Sequence, residues 1–122
     1  MKLYKCMKCG KIIAVLENGN PNTICCGEDM VELVPRSIDG ALEKHVPVVD
    51  IKDNIVKVKV GEVEHPMTEE HYIEFIILET NKGHMIKYLK PNDKPEASFI
   101  LSEEEYINAY AYCNLHGLWN NK

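Results

Sequence analysis

The sequence predicts a mainly β protein in two units, a small cysteine-bearing unit over residues 1–36 and a β-sandwich over residues 37–122. Three observations carry this. Four of the five cysteines, Cys6, Cys9, Cys25 and Cys26, lie within the first 26 residues. Further along, short β-branched and aromatic runs recur between turn signals, at the spacing of an all-β sandwich. Between the two regions, Pro35-Arg36-Ser37-Ile38-Asp39-Gly40 has the composition of a linker.

In the first unit, residues 11–16 (KIIAVL) predict a short strand, with turns at residues 18–22 and 26–29. A segment below about 40 residues rarely buries enough apolar surface to fold without a staple. A bound metal is one, because its binding free energy becomes folding free energy. Cys6-Met7-Lys8-Cys9-Gly10 is a C-x-x-C-G knuckle, whose two-residue spacer lets both thiolates reach one ion while Gly10 relieves the turn. Its partner is the adjacent pair Cys25-Cys26 in place of a second C-x-x-C. Neighbouring side chains of an extended chain point to opposite faces, so both reach one ion only if the backbone bends there. Tetrahedral sulfur suits zinc and iron alike, and the motif alone leaves the choice open. Zinc would be a structural staple, as in a zinc ribbon; iron would add a one-electron redox centre.

In the second unit, Ile55-Val56-Lys57-Val58-Lys59-Val60 alternates and predicts a strand with one buried and one wet face. Residues 72–78 (YIEFIIL) are β-branched, aromatic and more continuously apolar. Asn81-Lys82-Gly83 is a turn, followed by predicted strands over residues 85–89 and 96–101. Ser102-Glu103-Glu104-Glu105 has the capping-box spacing of a helix start. Against that, Tyr106, Asn108, Tyr110 and Tyr112 share one face at period two, with Ile107, Ala109 and Ala111 on the other. Tyrosines at that period predict a strand.

Composition narrows the function classes. With 45% hydrophobic and 27% charged residues, the chain has the balance of a globular protein. No apolar run approaches the roughly 18 residues of a membrane span. MKLYKCMKCGKII has no apolar signal-peptide core, so the expected location is the cytoplasm. The net charge is −5, from 19 acidic and 14 basic residues, which argues against a nucleic-acid partner. It would also repel an anionic substrate, so a local positive charge would be needed at any such site. An odd set of five cysteines in a cytoplasmic chain points to metal or redox chemistry and away from a disulfide framework.

The second unit also holds Cys113 and five histidines, His45, His65, His71, His84 and His116. Cys113 and His116 are three residues apart, so a tight turn can aim both at one metal. His65 and His71 flank the loop-like Pro66-Met67-Thr68-Glu69-Glu70, and His45 precedes a predicted strand. Singly, each histidine is most simply a surface or satisfied core residue, and Cys113 a small buried hydrophobe. The case rests on the combination. His84 follows a turn glycine, lacks such a context, and stays outside the set.

That combination resembles a known family. Glu43-Lys44-His45-Val46-Pro47, Glu64-His65-Pro66-Met67 through His71-Tyr72, and Cys113-Asn114-Leu115-His116-Gly117-Leu118-Trp119 resemble the signature blocks of the desulfoferrodoxins, the two-iron superoxide reductases. The N-terminal C-x-x-C with its later C-C pair is similar to their desulforedoxin-like domain. The resemblance spans essentially the whole chain, in the family's order. It implies a small rubredoxin-like iron domain ahead of an immunoglobulin-like β-sandwich, with two irons per chain. Carried across by position, Cys6, Cys9, Cys25 and Cys26 would hold the first iron. His45, His65, His71 and His116 would surround the second, with Cys113 on the axis of a square pyramid.

The activity implied is the one-electron reduction of superoxide to hydrogen peroxide. Five ligands leave a sixth position open for substrate, as a catalytic metal requires, and an axial thiolate donates electron density toward it. Lys44 would be the local positive charge, drawing superoxide in and helping to deliver a proton. Glu43 resembles the family glutamate that takes the sixth position once iron is oxidised. Trp119 and the tyrosines near Cys113 are expected to pack the core and shield the site. The resemblance also implies a homodimer and an electron donor such as a rubredoxin. The alternative reading is an electron carrier or redox sensor without superoxide turnover. A zinc-stapled interaction domain would leave the histidine set unexplained.

Overall fold

A computed structural model describes residues 1–20, 22–38 and 44–121, in two compact units, Met1–Val34 and Pro35–Lys122. Every regular element among the described residues is a strand, and no helix is long and apolar enough to cross a membrane.

The first unit contains β1 (Lys2–Lys5), β2 (Ile12–Val15), β3 (Ile24–Cys25), β4 (Glu28–Asp29) and β5 (Val31–Glu32). β1 is the middle strand of a sheet ordered β2-β1-β5, and β3 pairs with β4 alone. β1 and β2 form a hairpin from Lys2↔Val15 to Lys5↔Ile12, so the C-x-x-C knuckle is its turn. Two backbone bonds close that turn, Cys6 N–H to Lys11 O and Gly10 N–H to Cys6 O, both 2.9 Å. The buried hydrophobic side chains described in this unit are Leu3, Cys6 and Met30. At about 1.5–3 kcal/mol per buried side chain, so few cannot offset the ordering of some thirty residues. The need for a staple is therefore visible in the packing.

The second unit contains β6 (Pro47–Lys52), β7 (Ile55–Val60), β8 (Ile73–Thr80), β9 (Gly83–Tyr88), β10 (Glu96–Ile100), β11 (Tyr106–Cys113) and β12 (Gly117–Asn120). They form two antiparallel sheets, ordered β10-β7-β6 and β12-β11-β8-β9. Both sheets feed one core: Val56, Val58, Val60, Ala97 and Phe99 from the first, Ile73, Ile76, Leu78, Ala109, Ala111 and Cys113 from the second. Three strands facing four, with β10 and β11 each returning to pair across the other sheet's connections, make an immunoglobulin-like sandwich.

The alternating run keeps its pattern as β7, with Val56, Val58 and Val60 at most 1% exposed. The apolar run from residue 72 becomes β8, inside its sheet between β11 and β9. Ile76 and Leu78 face the core, and Ile77 is buried on the opposite face, mid-sheet between its cross-strand partners Tyr110 and Ile86. β11 confirms the strand reading of its segment with one correction to the faces. A bulge between Tyr106 and Asn108 breaks the alternation, and Tyr106 packs against the same core as Ala109 and Ala111. β1, β3, β4, β5 and β12 are not predicted by the sequence, and β4 lies in the segment read as a turn, whose tight bend is confined to Cys26 and Gly27. Each is only two to four residues long and lacks the apolar run that marks β2.

Three connections at one end of the sandwich carry the candidate ligands. They are the segment entering β6 with His45, the β7–β8 loop with His65 and His71, and the β11–β12 turn after Cys113.

Candidate metal centres

The four cysteines of the first unit converge. Their sulfurs all lie within 4.8 Å of one another. Cys9 Sγ is 3.7 Å from Cys25 Sγ, and Cys25 Sγ is 3.9 Å from Cys26 Sγ. A metal about 2.3 Å from each sulfur sets tetrahedral sulfurs about 3.8 Å apart, so the spacing fits such an ion. The bend that the Cys25-Cys26 pair requires is present. Cys26 has φ +53° and Gly27 φ +77°, the double left-handed pattern of a tight hairpin turn between Cys25 and its partner Glu28. Holding cysteine there costs roughly 1–2 kcal/mol, a strain that a ligand to both sulfurs offsets.

The electrostatics of the cluster agree. The Cys9 backbone N–H, 3.5 Å from Cys6 Sγ, leads in pulling that thiol down to about 6. Hydrogen bonding with Cys9, first, and with its other neighbours pushes Cys26 up to about 12. Four thiolates held this close together call for a cation to balance their charge.

The second site is a ring of imidazoles. Centroids are 5.0 Å apart for His45–His65, 4.7 Å for His65–His71, 5.1 Å for His71–His116 and 4.9 Å for His116–His45. Successive rings meet edge to face, at 69–85°. Cys113 completes the set. Its sulfur and the ring nitrogens of His45, His65 and His71 lie within 4.8 Å of one another, and His116 Nδ1 is 3.8 Å from that sulfur.

The ring nitrogens read as metal ligands. His65 Nε2 and His71 Nε2 are buried with no hydrogen-bond partner, which costs about 1–3 kcal/mol for each and is relieved by a metal ion. His65 Nδ1–H donates to the Pro66 carbonyl at 2.7 Å, fixing the tautomer whose Nε2 carries the lone pair. His45 Nε2 and His116 Nδ1 are 3.0 Å apart, the separation of two nitrogens about 2.1 Å from one ion at right angles. Burial, first, and the neighbouring rings hold His65 down to about 4, so it is neutral and able to ligate. His71 is lowered by burial, first, and then by His116, His45 and Lys44. Cys113 is fully buried, and burial pushes its thiol up; the backbone N–H groups of His116 and Leu115 act the other way and favour the thiolate.

Several residues hold the ring in place. Gly61, at φ +85°, lets the chain carrying Lys44 pass close by. A Cβ there would lie 2.4 Å from Val63 O and 2.5 Å from Lys44 O. Trp119 stacks on His45, and its Nε1–H donates to His116 O at 3.1 Å. Thr68 closes the approach to His71 by accepting its N–H at 3.1 Å on Oγ1. The expectation that Trp119 shields the site named the residue; its two contacts, and the part played by Gly61, had no sequence signal beyond residue type. His84 lies elsewhere, 3.9 Å from Glu79 across β8 and β9. Glu43 lies outside the described residues.

Comparison with known proteins agrees with both centres. A family model described as "Desulfoferrodoxin" matches residues 37–122, and one described as "Desulfoferrodoxin, N-terminal domain" matches residues 1–33. The desulfoferrodoxin of Nitratidesulfovibrio vulgaris is 47% identical over 118 residues, covering 97% of this chain and 93% of the relative. A desulfoferrodoxin homolog of Archaeoglobus fulgidus is 45% identical over 122 residues, covering 99% and 96%. The crystal structure of the superoxide reductase from Treponema pallidum superposes with a TM-score of 0.86 at 34% identity, covering 99% of this chain and 97% of that one. The four-cysteine set and the ring of four imidazoles with one thiol fit two iron centres per chain. This chain belongs to the desulfoferrodoxin family.

Proposed function

We propose that the protein is a superoxide reductase, an oxidoreductase that converts superoxide to hydrogen peroxide at the four-histidine, one-cysteine site. The observation that carries this is the closed ring of imidazoles beside Cys113, with two buried nitrogens lacking any other partner. The Treponema pallidum protein of the same fold is a superoxide reductase.

Residues 1–36 act as the tetracysteine iron domain, with Cys6, Cys9, Cys25 and Cys26 as ligands. Residues 37–122 act as the reductase domain, with His45, His65, His71, His116 and Cys113 as ligands. When bound at the second site, ferrous iron supplies the electron that superoxide takes up. The remaining work belongs to side chains. His65 is held by Pro66 O as the Nδ1–H tautomer, so its Nε2 is the atom that would hold the metal. Cys113 serves as thiolate, stabilised by the N–H groups of His116 and Leu115. Lys44 draws the anion toward an otherwise acidic protein and helps to deliver, through water, one of the two protons that peroxide requires, the second coming from solvent. Trp119 covers the face of His45 and keeps water from that side. The role of Glu43, closing the site after oxidation, rests on the family resemblance.

The five thiols are unpaired by disulfides, which suits the reducing cytoplasm. A homodimer and a one-electron donor such as a rubredoxin follow from the same resemblance.

The test is to supply a superoxide flux and an electron donor and to measure both products. Peroxide without oxygen is expected. Appreciable oxygen would mean dismutation, and no superoxide consumption by the reduced protein would leave an electron carrier or sensor. Metal analysis should find two irons per chain. In Cys113→Ser, the tetracysteine absorption should persist while the second site's thiolate band disappears.

A further inference from the structure

The ligands of the second site come from loops far apart in sequence, and the β-ladder between them stops short. β8 and β11 run in register from Ala109↔Leu78 to Tyr112↔Phe75, then slip, so that Cys113 faces Ile73. Beyond this bulge the ladder offers no further strand pair to hold the residues leading back to His71.

Asn114 fills that place. Its backbone N–H donates to Tyr72 O at 3.1 Å, and its side-chain Oδ1 accepts the Tyr72 N–H at 2.9 Å. Its Nδ2 donates to Glu70 O at 2.9 Å. One side-chain amide therefore grips the residues on both sides of His71, while its own backbone adjoins Cys113. An amide has one donor group and one acceptor group, and here each is used in the way a peptide unit would use it.

We propose that Asn114 is a positioning residue, which locks the His71 loop to the Cys113–His116 turn and so sets the geometry of the iron site. The role rests on the ligand assignment made above. It has the signature of an outer partner to a metal site, whose loss weakens metal binding about 10–100-fold. Aspartate keeps an acceptor for Tyr72 N–H but offers no donor to Glu70 O. Alanine supplies neither.

The experiment compares the full-length parent chain with Asn114→Ala and Asn114→Asp. Ferrous iron is withdrawn by a chelator series, with the tetracysteine centre of the same molecule as internal reference. The expected result is a 10–100-fold loss of affinity at the second centre in Asn114→Ala, a smaller loss in Asn114→Asp, and none at the first. The thiolate absorption band of the oxidised second centre should shift or broaden in the same order. Amide hydrogen exchange at Tyr72, read on metal-free chains, should speed up at least about tenfold in Asn114→Ala, the equivalent of one lost hydrogen bond.

Iron affinity within about threefold of the parent, with an unmoved band, would overturn the proposal even if the ligand assignment stands. Unchanged Tyr72 exchange would overturn the clamp itself, with or without metal. A parent that binds no second iron would instead overturn the ligand assignment. Asn114→Asp, which alters one side-chain atom, carries the comparison if Asn114→Ala fails to fold.

Discussion

The indole of Trp119 lies on the imidazole of His45, with centroids 4.5 Å apart and planes within 16° of parallel. The same indole donates its Nε1–H to the carbonyl of His116, and the Arg36 guanidinium sits 5.3 Å from its centroid. Residue 36 forms a parallel bridge with Trp119, Arg36 N–H donates to Leu118 O, and Asn120 N–H donates to Arg36 O. One side chain thus supports two imidazoles whose positions differ by 71 in sequence.

Replacing Trp119 should separate its two functions. Trp119→Ala removes a nearly buried ring and is expected to cost about 3–5 kcal/mol of stability. Trp119→Phe keeps a stacking surface and loses one hydrogen bond, about 1 kcal/mol. Denaturant unfolding measures both. Equal losses in the two variants would show that the stack on His45 contributes nothing.

Gly61→Ala tests whether close backbone approach holds the His45 segment. The left-handed φ costs roughly 1–2 kcal/mol for any residue with a Cβ. The clashes with Val63 O and Lys44 O add strain of about 1–3 kcal/mol. Thermal unfolding should report the sum, and superoxide turnover should fall as Lys44 and His45 shift. A variant as stable and as active as the parent would remove Gly61 from the account.

Lys44→Ala should slow the encounter with superoxide roughly tenfold at low salt. The salt dependence should also flatten, because screening acts on the charge that has been removed. Stopped-flow or pulse-radiolysis rates at two ionic strengths measure both effects. An unchanged rate with an unchanged salt slope would mean that attraction comes from elsewhere.

Acid should destabilise the metal-free chain in a defined window. His65 is held down to about 4, first by burial, whereas its ordinary value is 6.5. Between these values the unfolded chain binds the proton that the folded one refuses, so stability rises with pH across the window. It is lost as pH falls from about 6.5 toward about 4, and His71 shifts in the same direction for the same leading cause. Urea midpoints at about pH 7, about pH 5 and about pH 4 check this. A flat profile would show that burial does not govern His65.

Much of this was legible in one dimension. The alternation of valine and lysine over residues 55–60 predicts β7 residue for residue, because a side-chain period of two is a local property. The adjacent pair Cys25-Cys26 demanded a backbone bend, and the positive φ at Cys26 and Gly27 is that bend. The faces of β11 were less legible. Its bulge arises from pairing with β8, so the position of Tyr106 could not be counted from its neighbours.

By itself, the sequence determined the donor types, their order along the chain and the two-unit division of the cysteines. Those depend only on residue identity and spacing. Tertiary structure decided that the rings of His45, His65, His71 and His116 close on one another while His84 meets Glu79 on a sheet face. It also decided which bystanders matter. Asn114, Gly61 and Trp119 each act through a contact with a segment 17 or more residues away. Such contacts are set by strand register and loop closure, and neither is written in a local pattern.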